Sequence, residues 1–150
     1  MRAVITGGTR GIGLSTARAL GKAGYDIIIT GIDREAAETA LKELGDHEIK
    51  AEFIFADSMN EEEVNRCFEE ISGKYDSIDV LVNNVGGLGG RQRFEEMETS
   101  FMRRVMALNF DSAFFASRAA IPLLKKGSHP SIINFSTIAV TSGGGPGAGI

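Results

Sequence analysis

The stretch that decides the fold is Thr6-Gly7-Gly8-Thr9-Arg10-Gly11-Ile12-Gly13, which lies between a short apolar run and an amphipathic segment. The run Ala3–Thr6 predicts a buried strand, and the segment from Ile12 to Ala23 predicts a helix that Gly24 ends. Three spaced glycines are more than a tight strand-to-helix turn needs. Glycines let the backbone approach a pyrophosphate, and the helix N-terminus presents free N–H groups to the anion. We therefore interpret the stretch as a dinucleotide-binding turn.

The same glycines also fit the spacing of a phosphate loop, because Gly8 and Gly13 bracket four residues. A phosphate loop requires Lys directly after its last glycine, whereas Leu14-Ser15 follows here. An aliphatic side chain cannot pair with the β- and γ-phosphates of a nucleoside triphosphate. The sequence therefore disfavours a nucleoside triphosphatase.

Strand and helix patterns alternate along the rest of the chain, which indicates a parallel sheet covered by helices on both faces. We predict a doubly wound α/β fold of the Rossmann type, truncated after its fifth strand. No repeat or linker divides residues 1–150, so we expect one dinucleotide-binding domain, incomplete at the C-terminus. The further predicted strands are Asp26–Thr30, Ala51–Ala56, Asp79–Asn83 and Ser131–Ser136, and the further predicted helices are Arg34–Leu44, a third from Asn60 to Tyr75 and a long one across residues 101–119.

Three local signals refine these elements. Gly45 is predicted to end the second helix of the chain, Arg34–Leu44. Asn60 is predicted to cap the third, with Glu63 in the capping-box position three residues later. The tail from Thr141 to Ile150 is rich in glycine and is predicted to be a loop.

Composition excludes several classes of function. The formal net charge is −4, which argues against a nucleic acid partner. The longest apolar run is far shorter than the roughly 20 residues of a membrane span, and no signal-peptide pattern follows Met1. The lone Cys67 fits a reducing compartment, and two isolated histidines suggest no metal site. We therefore expect a cytoplasmic protein that uses neither a membrane nor a metal.

Four motifs together carry a resemblance to a known family. Besides the glycine-rich turn, they are Asn83-Asn84-Val85-Gly86, Leu108-Asn109-Phe110 and Ile133-Asn134-Phe135-Ser136-Thr137. In this order and at these spacings, they resemble the short-chain dehydrogenase/reductase family, and the chain looks closest to its bacterial 3-oxoacyl-acyl-carrier-protein reductases. The resemblance implies an NAD(P)(H)-dependent oxidoreductase that transfers hydride between nicotinamide and a small-molecule carbonyl or alcohol substrate.

The resemblance also implies a set of cofactor contacts. Asp57 would accept a hydrogen bond from the adenine amino group, and Asn83 and Gly86 would line the adenosine ribose and the central sheet. From the residues alone, Asp57 fits equally well as a negative charge near the start of the helix at Asn60, so both interpretations stay open. The implied cofactor-binding residues are Gly7, Thr9, Arg10, Gly11, Ile12, Gly13, Asp33, Asp57, Ser58, Asn83, Val85 and Gly86.

The choice between the two nicotinamide cofactors depends on the end of the second strand. An acid there binds the ribose 2′-OH of NAD, whereas an Arg accepts the 2′-phosphate of NADP. By family spacing this position is Gly31, which has no acid, and Arg10 resembles the basic residue of NADP-type members. Asp33 lies two residues further on, within reach of a ribose hydroxyl. We therefore predict NADP, with NAD as the alternative.

Two catalytic groups are implied by the same resemblance. The main chain of Asn109 would hold a water in a proton relay. Thr137 aligns with the family's catalytic Ser, but Ser136 is one residue away, and a one-residue difference in the loop would exchange them. Either hydroxyl can hydrogen-bond a substrate carbonyl.

The family's proton donor is a Tyr whose pKa is lowered by a Lys four residues later, and this pair is missing. The tyrosines are Tyr25 and Tyr75, which Ile29 and Asp79 follow four residues on. In family register the Tyr would fall just after Ile150. Because a positioned acid–base group contributes about a hundred- to ten-thousand-fold in rate, we expect the chain as given to have little activity.

Two hypotheses follow. The first is a reductase represented here by its cofactor-binding half; the resemblance implies that a complete chain would form a dimer or tetramer through the long helix and the helix after it. The alternative is a non-catalytic half-domain that binds a dinucleotide or a partner chain. In both, a sheet that ends at the fifth strand leaves Ile132-Ile133-Asn134-Phe135 as an exposed apolar edge.

Overall fold

The computed structural model describes residues 1–142, in which five parallel strands alternate with helices. Each predicted strand begins and ends within two residues of an observed one. The strands are β1 (Arg2–Ile5), β2 (Asp26–Gly31), β3 (Ala51–Phe55), β4 (Val80–Asn83) and β5 (Ser131–Asn134). The helices are α1 (Gly11–Lys22), α2 (Arg34–Asp46), α3 (Glu61–Lys74), α4 (Thr99–Met106), α5 (Ser112–Leu124) and α6 (Ala139–Ser142), with a 3₁₀ turn at Phe94–Glu96.

The strand order is β3-β2-β1-β4-β5, and every neighbouring pair is parallel. Val4 in β1 lies opposite Ile28 in β2 on one side and Leu81 in β4 on the other. The order therefore reverses between β1 and β4, the point at which open α/β sheets bind ligands beyond the carboxyl ends of their strands. The doubly wound α/β fold is confirmed, and the glycine-rich turn lies at this reversal.

Both faces of the sheet are buried, because successive side chains of a strand point to opposite faces. Val4, Ile28 and Leu81 face α3 and α5, where they pack with Phe68, Ile71 and Ala120 among other residues. Their strand neighbours, including Ile5, Ile29 and Val82, pack against α1 and α2. This continuous burial explains why these strands are apolar throughout rather than alternating.

Among the described residues, β5 forms one edge of the sheet. Ile132 and Ile133 are 40% and 42% exposed, so the predicted exposed apolar edge is confirmed. No helix among the described residues is long and apolar enough to cross a membrane.

Three local predictions were wrong in detail. Helix α2 continues through Gly45 to Asp46, and the left-handed residue after it is Glu48, with φ of 57°. Glu63 does reach back from α3, but it accepts the N–H of Asp57 at 2.9 Å instead of that of Asn60. Thr141 and Ser142 lie in α6 rather than in a loop, and residues 143–150 of the predicted loop fall outside the described residues.

The predicted long helix contains a π-helical segment, Ala107–Asp111, which joins α4 to α5. Within it the N–H of Ser112 donates to the carbonyl of Ala107, five residues back. Such segments widen a helix locally and occur frequently at functional sites. Periodicity of apolar residues predicts the helix but carries no signal for this insertion.

Candidate dinucleotide-binding site

The turn after β1 needs glycine at specific positions. Gly7 and Gly11 have φ of 62° and 56°, in the left-handed region that L side chains rarely adopt. A Cβ on Gly8 would lie 2.5 Å from Cγ2 of Ile29 in β2, and one on Gly13 would lie 2.7 Å from the amide nitrogen of Asn84. The turn therefore packs closely against the sheet. At Gly11, where α1 begins, a Cβ would meet nothing within 4 Å, so the helix start is open to a ligand.

Side-chain hydrogen bonds from β1 and β4 hold this turn in place. Asn84 Nδ2 donates to the carbonyl oxygens of Thr6 (3.0 Å) and Gly7 (3.1 Å). The hydroxyl oxygen of Thr6 in turn accepts the N–H of Asn84 at 3.0 Å. The sequence did not predict that Thr6 and Asn84 hold the turn. The polar residue at the end of each of these buried strands was a usable signal.

A cleft of about 830 Å³ opens beside the turn. This volume is within the range of about 300–1,000 Å³ that ligand pockets occupy. The cleft runs along the carboxyl ends of β1 to β4. It is lined by Gly7, Thr9, Arg10, Gly31, Ile32, Asp33, Arg34, Ala56, Asp57, Ser58, Met59, Asn84, Val85, Gly86 and Leu108.

Most of the predicted cofactor-binding residues meet in this cleft. Eight of them are in its lining, namely Gly7, Thr9, Arg10, Asp33, Asp57, Ser58, Val85 and Gly86. Gly11, Ile12 and Gly13 form the start of α1 behind the lining, and Ile12 is 65% exposed. The sequence did not assign Ile32, Ala56, Met59 and Leu108 to the site, because apolar residues look the same in sequence whether they line a cleft or a core.

Charged side chains gather where β2 ends. Asp33 caps α2, and its Oδ1 accepts the N–H of Ala36 at 2.9 Å. The guanidinium of Arg10 forms an ion pair with Oδ2 of the same carboxylate. The hydrogen bond from Ala36, aided by Arg10, lowers the pKa of Asp33 below 3.8. Arg34, the next residue, places its guanidinium 4.7 Å from the ring centroid of Phe55.

The position of Asp57 is compatible with both interpretations that the sequence left open. Its carboxyl Oδ1 accepts the N–H of Met59 at 2.9 Å, and its own N–H donates to Glu63, so it shapes the approach to α3. It also lines the cleft next to Ser58. A structural role at the start of α3 therefore does not remove it from reach of a ligand.

Asn83 is not in the lining of the cleft, and its role as a cofactor contact stays a prediction. The side chain is buried beneath the site, where Nδ2 donates to Ser117 Oγ at 2.9 Å and to Asn134 Oδ1 at 2.8 Å. It thus joins β4 to α5 and to β5. Consecutive residues of a strand face opposite ways, and the sequence does not show which of Asn83 and Asn84 faces the glycine-rich turn.

Asn109 lies in the π-helical segment and clamps the loop after β4. Its Nδ2 donates to the carbonyl oxygens of Gly87 (2.8 Å) and Val105 (2.9 Å), and its Oδ1 accepts the N–H of Gly87 at 2.9 Å. A Cβ on Gly86 would lie 2.9 Å from this Oδ1. The side chain is therefore occupied in positioning the loop, which leaves a functional role to the main chain.

Ser136 and Thr137 follow β5 and are exposed. The hydroxyl oxygen of Thr137 accepts the N–H of Ala139 at 3.3 Å, at the start of α6. Neither residue is in the lining of the cleft described above. Which of the two hydroxyls is catalytic therefore stays a prediction.

Comparison with known proteins agrees with this geometry. The family model described as short chain dehydrogenase matches residues 1–148. The 3-oxoacyl-acyl-carrier-protein reductase of Aquifex aeolicus is 32% identical over 141 residues, which are 93% of this chain and 56% of that protein. The chain spans about half the length of the curated relatives that it matches.

Solved structures extend the comparison to three dimensions. The NADH-dependent reductase A1-R′ in complex with NAD is 35% identical, with a TM-score of 0.90 over 99% of this chain and 64% of that one. The RhlG/NADP complex of Pseudomonas aeruginosa is 30% identical, with a TM-score of 0.89 over 97% and 58%. Similar proteins thus bind either nicotinamide cofactor. With the glycine-rich turn, the cleft and the match along nearly its whole length, this chain belongs to the short-chain dehydrogenase family.

Proposed function

We propose that the cleft binds a nicotinamide adenine dinucleotide and that the protein is an oxidoreductase acting on a small carbonyl or alcohol. The observation that carries the proposal is the glycine-rich turn, held by Asn84 at the reversal of strand order and open to a cleft of about 830 Å³. When bound, the nicotinamide supplies or accepts a hydride. The residues of this chain bind it, orient it and prepare the substrate.

The start of α1 fits a pyrophosphate. Arg10 occupies the N-cap position without a side-chain hydrogen bond to the helix, and the first turn contains no acidic residue. The N–H groups there are therefore available to an anion, and the positive end of the helix dipole favours one. Gly7 and Gly13 keep side chains out of the approach, while Asp57 and Ser58 border the opposite end of the cleft.

Of the catalytic groups of this proposal, Asn109 contacts the loop after β4, and Ser136 and Thr137 follow β5. Because the side chain of Asn109 is engaged with Gly87, its main chain is the part that would hold a relay water. Thr137, with Ser136 as the alternative, would donate a hydroxyl hydrogen bond to the substrate carbonyl. We infer NADP as the preferred cofactor, since Gly31 carries no acid while Arg10 and Arg34 bring two guanidinium groups to the cleft.

The first test is titration of the 150-residue chain with NADPH and with NADH, followed by nicotinamide fluorescence. We expect saturable binding of both, tighter for NADPH, with dissociation constants between about 1 μM and about 1 mM. Carbonyl-dependent oxidation should be slower than in a complete reductase by about a hundredfold or more, because no Tyr-x-x-x-Lys is present. Absence of binding would contradict the proposed function, and rapid turnover would contradict the assigned chemistry.

The second candidate function is a non-catalytic half-domain that binds a dinucleotide or a partner chain. The observation that favours it is that the lining of the cleft lies entirely within residues 7–108, so that these residues form the cleft by themselves. The intact mass of the protein from its own source distinguishes the candidates. A mass about 10 kDa above the 16.0 kDa of these residues supports the reductase, given the size of a whole domain.

We further propose that the protein forms homo-oligomers through the long helix and acts in the cytoplasm, as its sequence predicts. Met102, Met106, Phe110 and Phe114 recur every four residues from α4 through the π-helical segment into α5, and each is 45–61% exposed. Apolar residues at this spacing lie along one side of a helix. Such a row of exposed large apolar side chains is typical of an interface.

Replacing Phe110 with serine should weaken this association. Phe110 is the most exposed of the four, and burying a phenylalanine contributes about 1.5–3 kcal/mol per protomer. Sedimentation equilibrium should therefore show a dimer constant weaker by at least about tenfold, with cofactor binding unchanged. Exposed Phe94, outside the row, serves as control. Equal effects of both serine variants would contradict this interface.

A further inference from the structure

A small second cavity adjoins the dinucleotide cleft, between the sheet and helices α3 and α5. Its volume is about 10 Å³, which is room for a single water molecule. Ala56 and Ser58 line both the cavity and the cleft. We propose that the cavity binds one water molecule, which the hydroxyl groups of Thr30 and Ser58 hold beside the cleft.

The cavity forms where the apolar core is replaced by smaller and more polar side chains. Every second residue of a strand faces the same side of the sheet. On the side that packs against α3 and α5, Val4 in β1 is followed in this way by Thr6. Ile28 in β2 is followed by Thr30, and the end of β3 contributes only the small Ala56. The packing therefore leaves a gap that is lined by hydroxyl groups.

Of the three hydroxyl groups in the lining, that of Thr6 is already fully used. It donates to the carbonyl oxygen of Val82 at 3.3 Å. It also accepts the N–H groups of Asn84 at 3.0 Å and of Val85 at 3.3 Å. A hydroxyl has one proton and two lone pairs, so Thr6 has no capacity left for a ligand.

The other two hydroxyl groups are buried and available. Thr30 and Ser58 are only 3% and 6% exposed. Within residues 1–142, no protein group forms a hydrogen bond with either side chain. A buried hydroxyl without a partner costs free energy, so both groups need a ligand that can donate and accept.

The rest of the lining restricts this ligand to a neutral molecule. Cys67 faces the cavity, and burial raises the pKa of its thiol to about 12, so the thiol keeps its proton. The remaining lining residues are apolar, and none of the lining side chains carries a charge. An ion would therefore lie there without a counter-charge, whereas water finds two hydroxyl groups and a weak thiol donor.

The water joins β2 to the segment between β3 and α3. Ser58 belongs to this segment and also lines the cleft, whereas Thr30 is not in the lining of the cleft. The water therefore fixes the position of Ser58 relative to the sheet. This positioning of a cofactor-binding residue rests on the proposed function, while the water site itself does not.

Thr30→Val tests whether the hydroxyl has a partner, because valine has nearly the same shape without the hydroxyl. Loss of a hydrogen bond to water should lower the melting temperature by about 3–8 °C. Ser58→Ala should lower it in the same way. The exposed Thr39 provides the control, and Thr39→Val should change the melting temperature by less than about 2 °C. A cavity without water gives the opposite sign, because valine then removes an unpaired buried hydroxyl. An unchanged or raised melting temperature in Thr30→Val would therefore overturn the proposal.

A high-resolution crystal structure of the 150-residue chain tests the ligand directly. We expect one solvent peak within about 3 Å of the hydroxyl oxygens of Thr30 and Ser58. A cavity without such a peak, or a direct hydrogen bond between the two hydroxyl groups, would overturn the water site.

Calorimetric titration with 5′-AMP tests the positioning of Ser58. Thr30→Val should bind 5′-AMP about two- to fivefold more weakly, and Thr39→Val should bind it as the unaltered chain does. Equal affinity of Thr30→Val and the unaltered chain would overturn this positioning. Failure of the unaltered chain to bind 5′-AMP contradicts the proposed function, whereas the melting temperatures and the solvent peak decide the water site without any cofactor.

Discussion

A chain with Gly13→Ala should bind NADPH at least tenfold, and up to about a hundredfold, more weakly than the unaltered chain. The new methyl group would lie 2.7 Å from the side-chain nitrogen of Asn84 and closer still to the carbonyl oxygen of Gly7. Neither atom can move freely, because they are hydrogen-bonded to each other. The substitution therefore displaces the turn where the pyrophosphate would lie. Fluorescence titration with NADPH measures the effect.

The chain offers matched controls for this substitution. Gly45 and Gly73 also lie in helices, and a Cβ at either position meets nothing within 4 Å. Alanine there should leave binding unchanged and raise stability by up to about 1 kcal/mol, because alanine is the better helix former. Unaltered NADPH affinity in Gly13→Ala, with a normal melting temperature, would show that the close packing of the turn is not required for the ligand.

Asp79→Asn should reduce the free energy of unfolding by about 2–4 kcal/mol. Asp79 is only 5% exposed and lies just before β4. Its two oxygens accept the N–H groups of Arg2 (2.7 Å) and Ser128 (2.9 Å), which ties the start of β1 to the segment before β5. An amide can accept only one of these bonds and turns a donor toward the other. Urea denaturation followed by circular dichroism measures the loss.

The same carboxylate makes the loss dependent on pH. Burial raises the pKa of Asp79, but the N–H groups of Arg2 and Ser128 and the nearby N-terminal ammonium lower it by more, so the pKa lies below its ordinary value. A lowered pKa in the folded state contributes stability above the pKa of the unfolded chain and loses it as the pH falls through the folded value. The difference between the unaltered chain and Asp79→Asn should therefore shrink below about pH 4.

Exposed Asp76 lies three residues earlier and provides the control. Asp76→Asn should change stability by less than about 0.5 kcal/mol. A loss in Asp79→Asn that is the same at pH 7 and at pH 3 would contradict the assigned protonation state.

The fold was predictable because its signals are local. An apolar run followed by glycines and an amphipathic segment, repeated along the chain, leaves few topologies other than a parallel doubly wound sheet. The ends of elements were less predictable, since a glycine such as Gly45 stops a helix only when the backbone there turns left-handed. The π-helical segment around Asn109 was invisible to periodicity, because one inserted residue shifts the helical face without changing composition.

The sequence predicted which residues form the candidate site, but it did not predict the hydrogen-bond and ion-pair partners of their side chains. Motif positions identified most residues of the cleft, but they did not show that Arg10 is bonded to Asp33 or that the side chain of Asn83 is bonded to Ser117 and Asn134. Both facts depend on which way a side chain turns after long-range packing. Thr6 and Asn84 were overlooked for the same reason, because their partners are each other, 78 residues apart.

That last separation has a consequence for how the site comes into being. The glycine motif is complete once residue 13 has been made, yet the bonds that hold it come from Asn84. A nascent chain that ends before Asn84 contains the glycine motif but lacks the hydrogen bonds that hold it. A bound ligand can therefore stabilise the fold by mass action only after β4 has paired with β1. Dinucleotide added during synthesis should therefore protect nascent chains against proteolysis once residue 84 has emerged from the ribosome. Shorter nascent chains should remain as susceptible to proteolysis as they are without dinucleotide.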